Sequence, residues 1–226
     1  MVIEPVAHIE NDYKDKFAVP RQSGIANIKS KIVFEEQYAS PNAVKELDGF
    51  SHIWLIWGFS KNIREEHSLT VRPPRLGGNK RVGVFASRSP FRPNNLGLSC
   101  VKLDKIEYDE KGRPYLKVSG ADLIDGTPIY DIKPYIKFTD SHEDAVSGFV
   151  ETSEFSMLKV EMPEELLSII PEDKREALIT ILENDPRPAY QEDESRIYGF
   201  NYAGYEIKFT VKNDILEVKE IYGTED

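Results

Sequence analysis

A succession of short β-prone runs, separated by glycine- and proline-rich connections, constrains the fold of this chain more than any other feature. Residues 2–9 alternate weakly, residues 28–34 are β-prone, and residues 51–59 (SHIWLIWGF) form a dense aromatic and β-branched run. Residues 82–85, 98–106 and 115–119 follow, the last two joined by a hairpin turn in EKGR at 110–113. Residues 129–132 and 149–152 complete the set. Only residues 40–47 (SPNAVKEL) read as a helix in this part, with Ser40 as N-cap, a proline in the first turn and a stop at Gly49. Many strands and few helices predict a mainly β protein, a small barrel or strongly curved sheet rather than a doubly wound one.

The pattern changes near residue 153. Residues 163–170 and 171–183 carry apolar side chains at helical spacing, including Leu166, Ile170, Leu178, Ile181 and Leu182. DPRPAYQEDES then interrupts the helix, and YEIKFTVKNDILEVKEIY reads as two strands joined at Asn213 and Asp214. The expected organisation is a barrel domain over residues 1–152 and a small α+β domain over residues 153–226.

Several chemistries are absent from the sequence. LGGNKR is too short for a Walker loop, no GxGxxG follows a strand, and neither HExxH nor GxSxG occurs. Four scattered histidines and a lone Cys100 provide no metal motif and no internal disulfide. The N-terminus has no apolar leader, and the strongest apolar run, IWLIWGF, is too short to span a bilayer. A cytoplasmic protein with no membrane association and no metal is expected.

Charge is segregated. The chain carries −10 overall, yet the window from Lys61 to Arg92 holds eight basic and two acidic residues, about +6. Segregation of this kind creates a local electrostatic funnel on an otherwise acidic protein. The segment RPPRLGGNKRVGVFASRSPFRPNNLGLSCVKL combines arginine forks for anions, glycines that admit close backbone approach and prolines that fix loop shape. Two further segments stand out: DKFAVPRQSG, with Arg21 and Gln22 after a proline, and ADLIDGTPIYDIKPYIKFTD, where aspartates interleave with apolar residues. In the latter, Tyr130 and Asp131, or Lys133 and Tyr135, could line a site opposite the arginines.

The strings FAVPRQ, GFSHIWLIWGF, TVRPPRLGGNKRVGVFASRSPFRPNNLGLS and DLIDGTPIYDIKPYI, in this order, resemble the TsaA/TrmO-like family of tRNA methyltransferases. DPRPAYQ and RIYGF extend the resemblance into the C-terminal part. The resemblance implies a non-Rossmann β-barrel that binds S-adenosylmethionine, a homodimer with the site near the subunit interface, and methylation of adenine N6 in threonylcarbamoyladenosine beside the tRNA anticodon. Carried onto matching positions, it implies cofactor contacts from Pro20, Arg21, Gln22, Ser60, Lys61, Arg88, Leu98, Asp122, Leu123, Ile124 and Asp125. Asp125 or Asp131 would accept a hydrogen bond from the N6 amine, with Lys133 and Tyr135 completing the catalytic set. Arg88 could hold the cofactor carboxylate or the threonyl carboxylate. Arg72, Arg75, Lys80, Arg81 and Arg92 are expected on anticodon-loop phosphates, and Phe91 on a base. The family commonly has proline where this chain has Asn95, which predicts a more flexible RPNN loop. It frequently has histidine where Ser60 stands. Rival readings are a methyltransferase acting on another RNA or small substrate, and a noncatalytic cofactor- or RNA-binding module.

Overall fold

Six strands close into one antiparallel barrel, because alternate residues of each carry the apolar side chains that fill its interior. The computed structural model describes residues 2–60, 68–73, 80–152, 157–187 and 193–224. In chain order the strands of the first part are β1 (Ala7–Glu10), β2 (Lys29–Phe34), β3 (His52–Gly58), β4 (Thr70–Val71), β5 (Val82–Gly83), β6 (Leu96–Tyr108), β7 (Pro114–Ser119) and β8 (Pro128–Pro134). The barrel runs β1-β2-β7-β6-β3-β8 and returns to β1, while β4 and β5 pair separately. Ile9, Ile32, Ile53, Leu55, Val101, Leu116, Val118 and Ile129 are buried within it. Period-2 alternation on twisted strands puts one face inside and leaves the other for solvent or partners.

Closure depends on the shortest strand. β1 pairs along its whole length with β2 and meets β8 through Ala7 opposite Ile129 and His8 opposite Pro128. The longest strand, β6, bends between two partners: Leu96–Lys102 pairs with β3, and the remainder with β7. A register shift between Leu103 and Lys105 marks that bend, and the freed Asp104 takes Lys29 at 3.1 Å.

Local signals decided some elements differently from the sequence reading. Residues 40–47 form no α-helix: Pro41–Val44 is a 3-10 turn, with the Ser40 hydroxyl accepting from the Asn42 N–H. Capping and proline suit a 3-10 turn equally well, and with Val44 its only buried residue the segment lacks the apolar face that sustains a longer helix. The strand expected at 82–85 stops at Gly83, and Val84–Ala86 continues as a 3-10 turn. The first strand begins at Ala7 rather than residue 2. Phe149–Thr152, β-prone by composition, is one helical turn, as strand propensity depends on context more than helix propensity does.

Two helical turns follow the barrel, α1 (Lys137–Asp140) and α2 (Phe149–Thr152), and the C-terminal part contains β9 (Lys159–Glu161), α3 (Glu164–Leu167), α4 (Glu172–Glu183), β10 (Tyr198–Tyr202), β11 (Tyr205–Lys212) and β12 (Ile215–Gly223). A four-stranded sheet, β10-β11-β12-β9, forms its base. Asn213 and Asp214, both with positive φ, make the tight turn between β11 and β12. Ala177, Leu178, Ile181 and Leu182 of α4 are buried in the same core as Phe200, Ile207, Phe209 and Leu216.

That core also takes residues from the loop between β1 and β2. Tyr13, Ala18, Ala26 and Ile28 belong to it rather than to the barrel interior. The Tyr13 and Tyr202 rings lie 6.4 Å apart, Lys174 forms an ion pair with Asp12, and the Ala203 N–H donates to the Asp12 carbonyl. The two cores are thus tied by a segment of the first 28 residues.

The Tyr13 hydroxyl is buried without a hydrogen-bond partner among the described residues, and burial pushes its pKa far up. An unsatisfied buried hydroxyl costs about 1–3 kcal/mol. Tyr13→Phe is therefore expected to unfold in urea at the same or a higher midpoint than the parent. Tyr13→Ala, which empties the ring site, should lose about 3–5 kcal/mol. A clear loss of stability in the phenylalanine variant would contradict this assignment.

Candidate active site

One end of the barrel gathers side chains from four separated stretches of sequence. The β1–β2 loop brings Gln22 and Ser23, the loop after β5 brings Arg88, β6 brings Ser99, and the turn after β7 brings Asp122. The Gly24 N–H donates to the Gly120 carbonyl at 2.8 Å, joining the first and last of these loops. Both glycines have φ of +80°, and a Cβ on Gly120 would crowd the Gly24 backbone. The positive φ favours glycine at both positions, and the close approach adds a steric reason at Gly120 alone.

Three residues form a hydrogen-bonded chain from the barrel interior to this rim. Trp57 Nε1 donates to Ser99 Oγ at 2.9 Å, and Ser99 Oγ donates to Asp122 Oδ1 at 2.5 Å. Ser99 is 1% exposed. Trp57 lies opposite Gly97 in the β3–β6 register, and a Cβ at Gly97 would come within 2.3 Å of the Trp57 ring. The glycine thus makes room for the indole to lie across β6 and reach Ser99. Phe59 fixes the ring from the other side, edge-on with centroids 4.4 Å apart.

Burial pushes the Asp122 carboxyl above the usual carboxylate range, while the Ser99 hydroxyl, the Arg88 charge and backbone N–H groups including that of Ser23 act in the opposite direction. Arg88 is exposed, and its Nη1 donates to Gln22 Oε1. Of the run from Asp122 to Asp125, Asp122 is the residue whose carboxylate interacts with Arg88. Leu123 is fully buried in the barrel core, and the Ile124 carbonyl is occupied by Thr127. Asp125 binds the Asn11 N–H at 2.9 Å and Lys14 Nζ at 2.5 Å, which pins the start of the β1–β2 loop.

Other residues expected together lie on separate surfaces. Pro20 and Arg21 line a pocket of about 220 Å³ against Ile181, Asp185, Pro186 and Arg187. There Arg21 donates to the Asp185 carbonyl at 3.2 Å, and Asp185 holds Arg187 through two hydrogen bonds of 2.8 Å. Leu98, 56% exposed, is on the barrel's outer wall. Asp131 and Leu98 are both cross-strand partners of Ile56, and Lys133 and Cys100 of Trp54, so these residues form two adjacent rows. Asp131 pairs with Lys133 at 3.0 Å and accepts from the Ile132 N–H. Tyr135 continues the wall with its ring 5.8 Å from Trp54, whose indole donates to Asp140. A bulge between Ile56 and Trp57 displaces Tyr130, whose ring packs where a Cβ on Gly58 would be.

The arginine-rich segment is exposed at Arg72, Lys80 and Arg81, and Arg81 donates to Thr70 Oγ1 at 2.8 Å across the β4–β5 pair. Arg92 is half-buried and holds the Ser87 carbonyl at 2.9 Å, and Phe91 is half-buried beside it. Ser60 is exposed at the end of β3; Lys61 and Arg75 lie outside the described residues. Asn95 is not the loose point its replacement of proline suggested. With φ of 40° it adopts a conformation proline cannot, its amide donates to the Pro90 carbonyl, and its own carbonyl accepts from the Phe59 N–H. Ser99, Trp57 and Ser23 were missed in the sequence, since a serine and a tryptophan within strands are ordinary core residues. Among the described residues no cluster of His, Cys, Asp or Glu could hold a metal ion, and no helix is long and apolar enough to cross a membrane.

Among the described residues the first part is a closed antiparallel barrel with no doubly wound α/β sheet, which places the chain among β-barrel proteins of non-Rossmann type. Residues 8–141 match the model of the tRNA-methyltransferase O N-terminal domain, and residues 156–224 that of the TrmO C-terminal domain. The chain belongs to the tRNA-methyltransferase O family. It is 38% identical over 219 residues to the tRNA (adenine(37)-N6)-methyltransferase of Escherichia coli (strain K12), covering 92% of this chain and 91% of that one. A Pseudomonas aeruginosa protein named putative S-adenosylmethionine-dependent methyltransferase RcsF is 34% identical over 230 residues, 98% of this chain and 97% of its own. The crystal structure of TrmO from Pseudomonas aeruginosa superposes with a TM-score of 0.75 at 27% identity, covering 99% of both chains.

A carboxyl whose folded pKa lies above its unfolded value favours the folded state while protonated, and that advantage is lost as pH rises above the unfolded range, about 3.9 for aspartate. Asp122→Asn removes this titration without changing the side chain's shape. Its melting temperature should exceed the parent's at pH 7, with the difference closing as pH falls toward about 4. A variant less stable than the parent at pH 7 would contradict the direction assigned to Asp122.

Proposed function

We infer that this chain is an S-adenosylmethionine-dependent methyltransferase acting on adenine N6 at position 37 of tRNA, beside the anticodon. The observation that carries the reading is the separately tethered Arg88–Asp122 pair at the barrel rim, in a chain that matches both parts of the tRNA-methyltransferase O family. The residues present fit the cofactor: a positive and a negative side chain stand close together at the rim. S-adenosylmethionine supplies a methyl group on positively charged sulfur, and the methyl–sulfur bond breaks as the methyl–N6 bond forms.

The chain's own residues bind, orient and accept a proton. Holding two reactants in line lowers a barrier by about 7–11 kcal/mol, so positioning is the main contribution. The N6 amine must lose a proton, and Asp131 is the better acceptor of the two aspartates considered. Asp125 is committed on both oxygens to Asn11 and Lys14. Asp131 is also engaged on both oxygens, by the Ile132 N–H and by Lys133, yet its side chain is 47% exposed on the outer wall against 27% for Asp125, which leaves it the more accessible of the two. Arg72, Lys80 and Arg81 are suited to phosphates of the anticodon loop, in keeping with their exposure on an acidic chain. The substrate is threonylcarbamoyladenosine, whose carboxylate would meet a basic surface of this kind. A homodimer in the cytoplasm completes the reading, supported by Phe138 and Val146, 87% and 81% exposed after β8, as apolar surface for a second copy.

Radiolabelled methyl transfer to tRNA with and without the threonylcarbamoyl group tests the reading. Transfer to the modified tRNA alone is expected, with Asp131→Ala reducing the rate at least a hundredfold, within the range of about 10²–10⁴ for a lost acid–base group, and Arg88→Ala reducing it through weaker cofactor binding. Transfer to unmodified tRNA or to a different base would assign another substrate. No transfer to any tRNA would favour a noncatalytic binding module.

A further inference from the structure

The outer wall of the barrel carries an ordered set of aromatic side chains around Trp54, a residue to which the reaction assigns no part. Where β6, β3 and β8 lie side by side, the outward residues fall into three rows. These are Leu98–Ile56–Asp131, Cys100–Trp54–Lys133 and Lys102–His52–Tyr135, the last closed by the Tyr135 N–H donating to the His52 carbonyl at 3.0 Å. Strand alternation fixes the arrangement, because Ile53 and Leu55 between the rows turn into the barrel core. The middle of the wall is apolar and aromatic, while Lys102 and Lys133 stand exposed on the flanking strands.

The rings of this wall are held in place. Trp54 Nε1 donates to Asp140 Oδ2 at 3.1 Å, and the Ile136 N–H donates to the same oxygen at 2.8 Å. The Ile136 N–H and the indole together hold the Asp140 carboxyl below the usual carboxylate range, so it remains an acceptor at neutral pH. A bond at the ring edge fixes the plane of the half-buried indole without covering its face. The Tyr135 ring lies 5.8 Å from the Trp54 ring and 6.1 Å from that of His52. Aromatic faces flanked by lysines suit single-stranded RNA, whose bases stack on rings while its phosphates meet cations. A contact between two protein copies favours a different composition, since lysine is depleted in the cores of such interfaces. Adjacent rows are about 7 Å apart, which puts Trp54 within one nucleotide's reach of Asp131.

We propose that Trp54 and Tyr135 form a stacking platform for a base next to the target adenine in the anticodon loop, with Asp140 as the positioning residue for Trp54. The platform rests on the tRNA reading above and on Asp131 as the proton acceptor. Lys102 and Lys133 meet the phosphates on either side of the stacked base. The wall thereby grips the unpaired nucleotides themselves, apart from the arginine contacts to the RNA backbone. It also gives the turn after β8 a use: folding back at Ile136 brings the Asp140 carboxylate to the Trp54 edge.

Fluorescence and binding titrations with an anticodon stem-loop RNA test the platform. Trp54 and Trp57 are the two tryptophans of the chain, and Trp57 is 7% exposed inside the barrel. The RNA should quench the emission of the parent, whereas Trp54→Phe, whose remaining indole is Trp57, should bind RNA without the quench. Trp54→Leu and Tyr135→Leu should each weaken RNA binding by about five- to a hundredfold, the effect of losing one base–aromatic stack, and leave S-adenosylhomocysteine within about twofold. Tyr135→Phe, which keeps the ring, should bind RNA as the parent does. Asp140→Ala should show a smaller loss, and Asp140→Asn, which keeps an acceptor oxygen for the indole, should restore it. Unchanged RNA affinity in both leucine variants overturns the platform while leaving the tRNA reading in place. So does a change from dimer to monomer in sedimentation of Trp54→Leu, which assigns the wall to a second copy. If the parent binds no RNA, the tRNA reading fails and the platform with it.

Discussion

Closure of the barrel through β1 is the constraint on which the rest of the structure depends. Two residues of a four-residue strand, Ala7 and His8, meet β8 and complete the ring. Without that seam, neither the β1–β2 loop nor the turn after β7 would have a fixed position at the rim. The Gly24–Gly120 hydrogen bond then holds the two loops together, and the Asn11–Asp125 contact fastens the same loop at its beginning. A hydrogen-bonded ring without edges is a rigid support, and side chains on its rim inherit that rigidity. This is the condition for holding a small ligand in one orientation.

The second core adds to this. Tyr13, Ala18, Ala26 and Ile28 bury the β1–β2 loop against the C-terminal sheet and α4, so the residues that carry Gln22 and Ser23 are fixed from both sides. The C-terminal part therefore acts on the rim through packing. Its acidic surface need not grip RNA for it to matter. Positive charge is concentrated instead in the segment between β3 and β6, where Arg72, Lys80, Arg81 and Arg88 are exposed.

Much of this architecture could be read from the sequence, and the omissions have physical causes. The strand runs were visible because barrel strands alternate with period two, and the EKGR and Asn213–Asp214 turns because their residues tolerate positive φ. Barrel order was not visible, since β6 pairing with both β3 and β7 is a nonlocal choice made at a bulge. The membership of Tyr13 and Ala18 in a distant core has no periodicity to announce it. Within the site, charged residues attracted attention and neutral ones did not. Arg88 and Asp122 stood out; Ser99, which orients Asp122, did not. Asp125 drew attention by composition, yet its carboxylate is spent on Asn11 and Lys14.

The proposed cofactor site is the barrel rim, with contacts from Arg88 and Asp122. A crystal structure of the protein with S-adenosylhomocysteine tests it most directly. The ligand is expected at the rim in contact with Arg88 and Asp122, with the Ser99–Asp122 hydrogen bond retained. Density for the ligand in the pocket between Pro20, Arg21 and Asp185, with the rim unchanged, would contradict it.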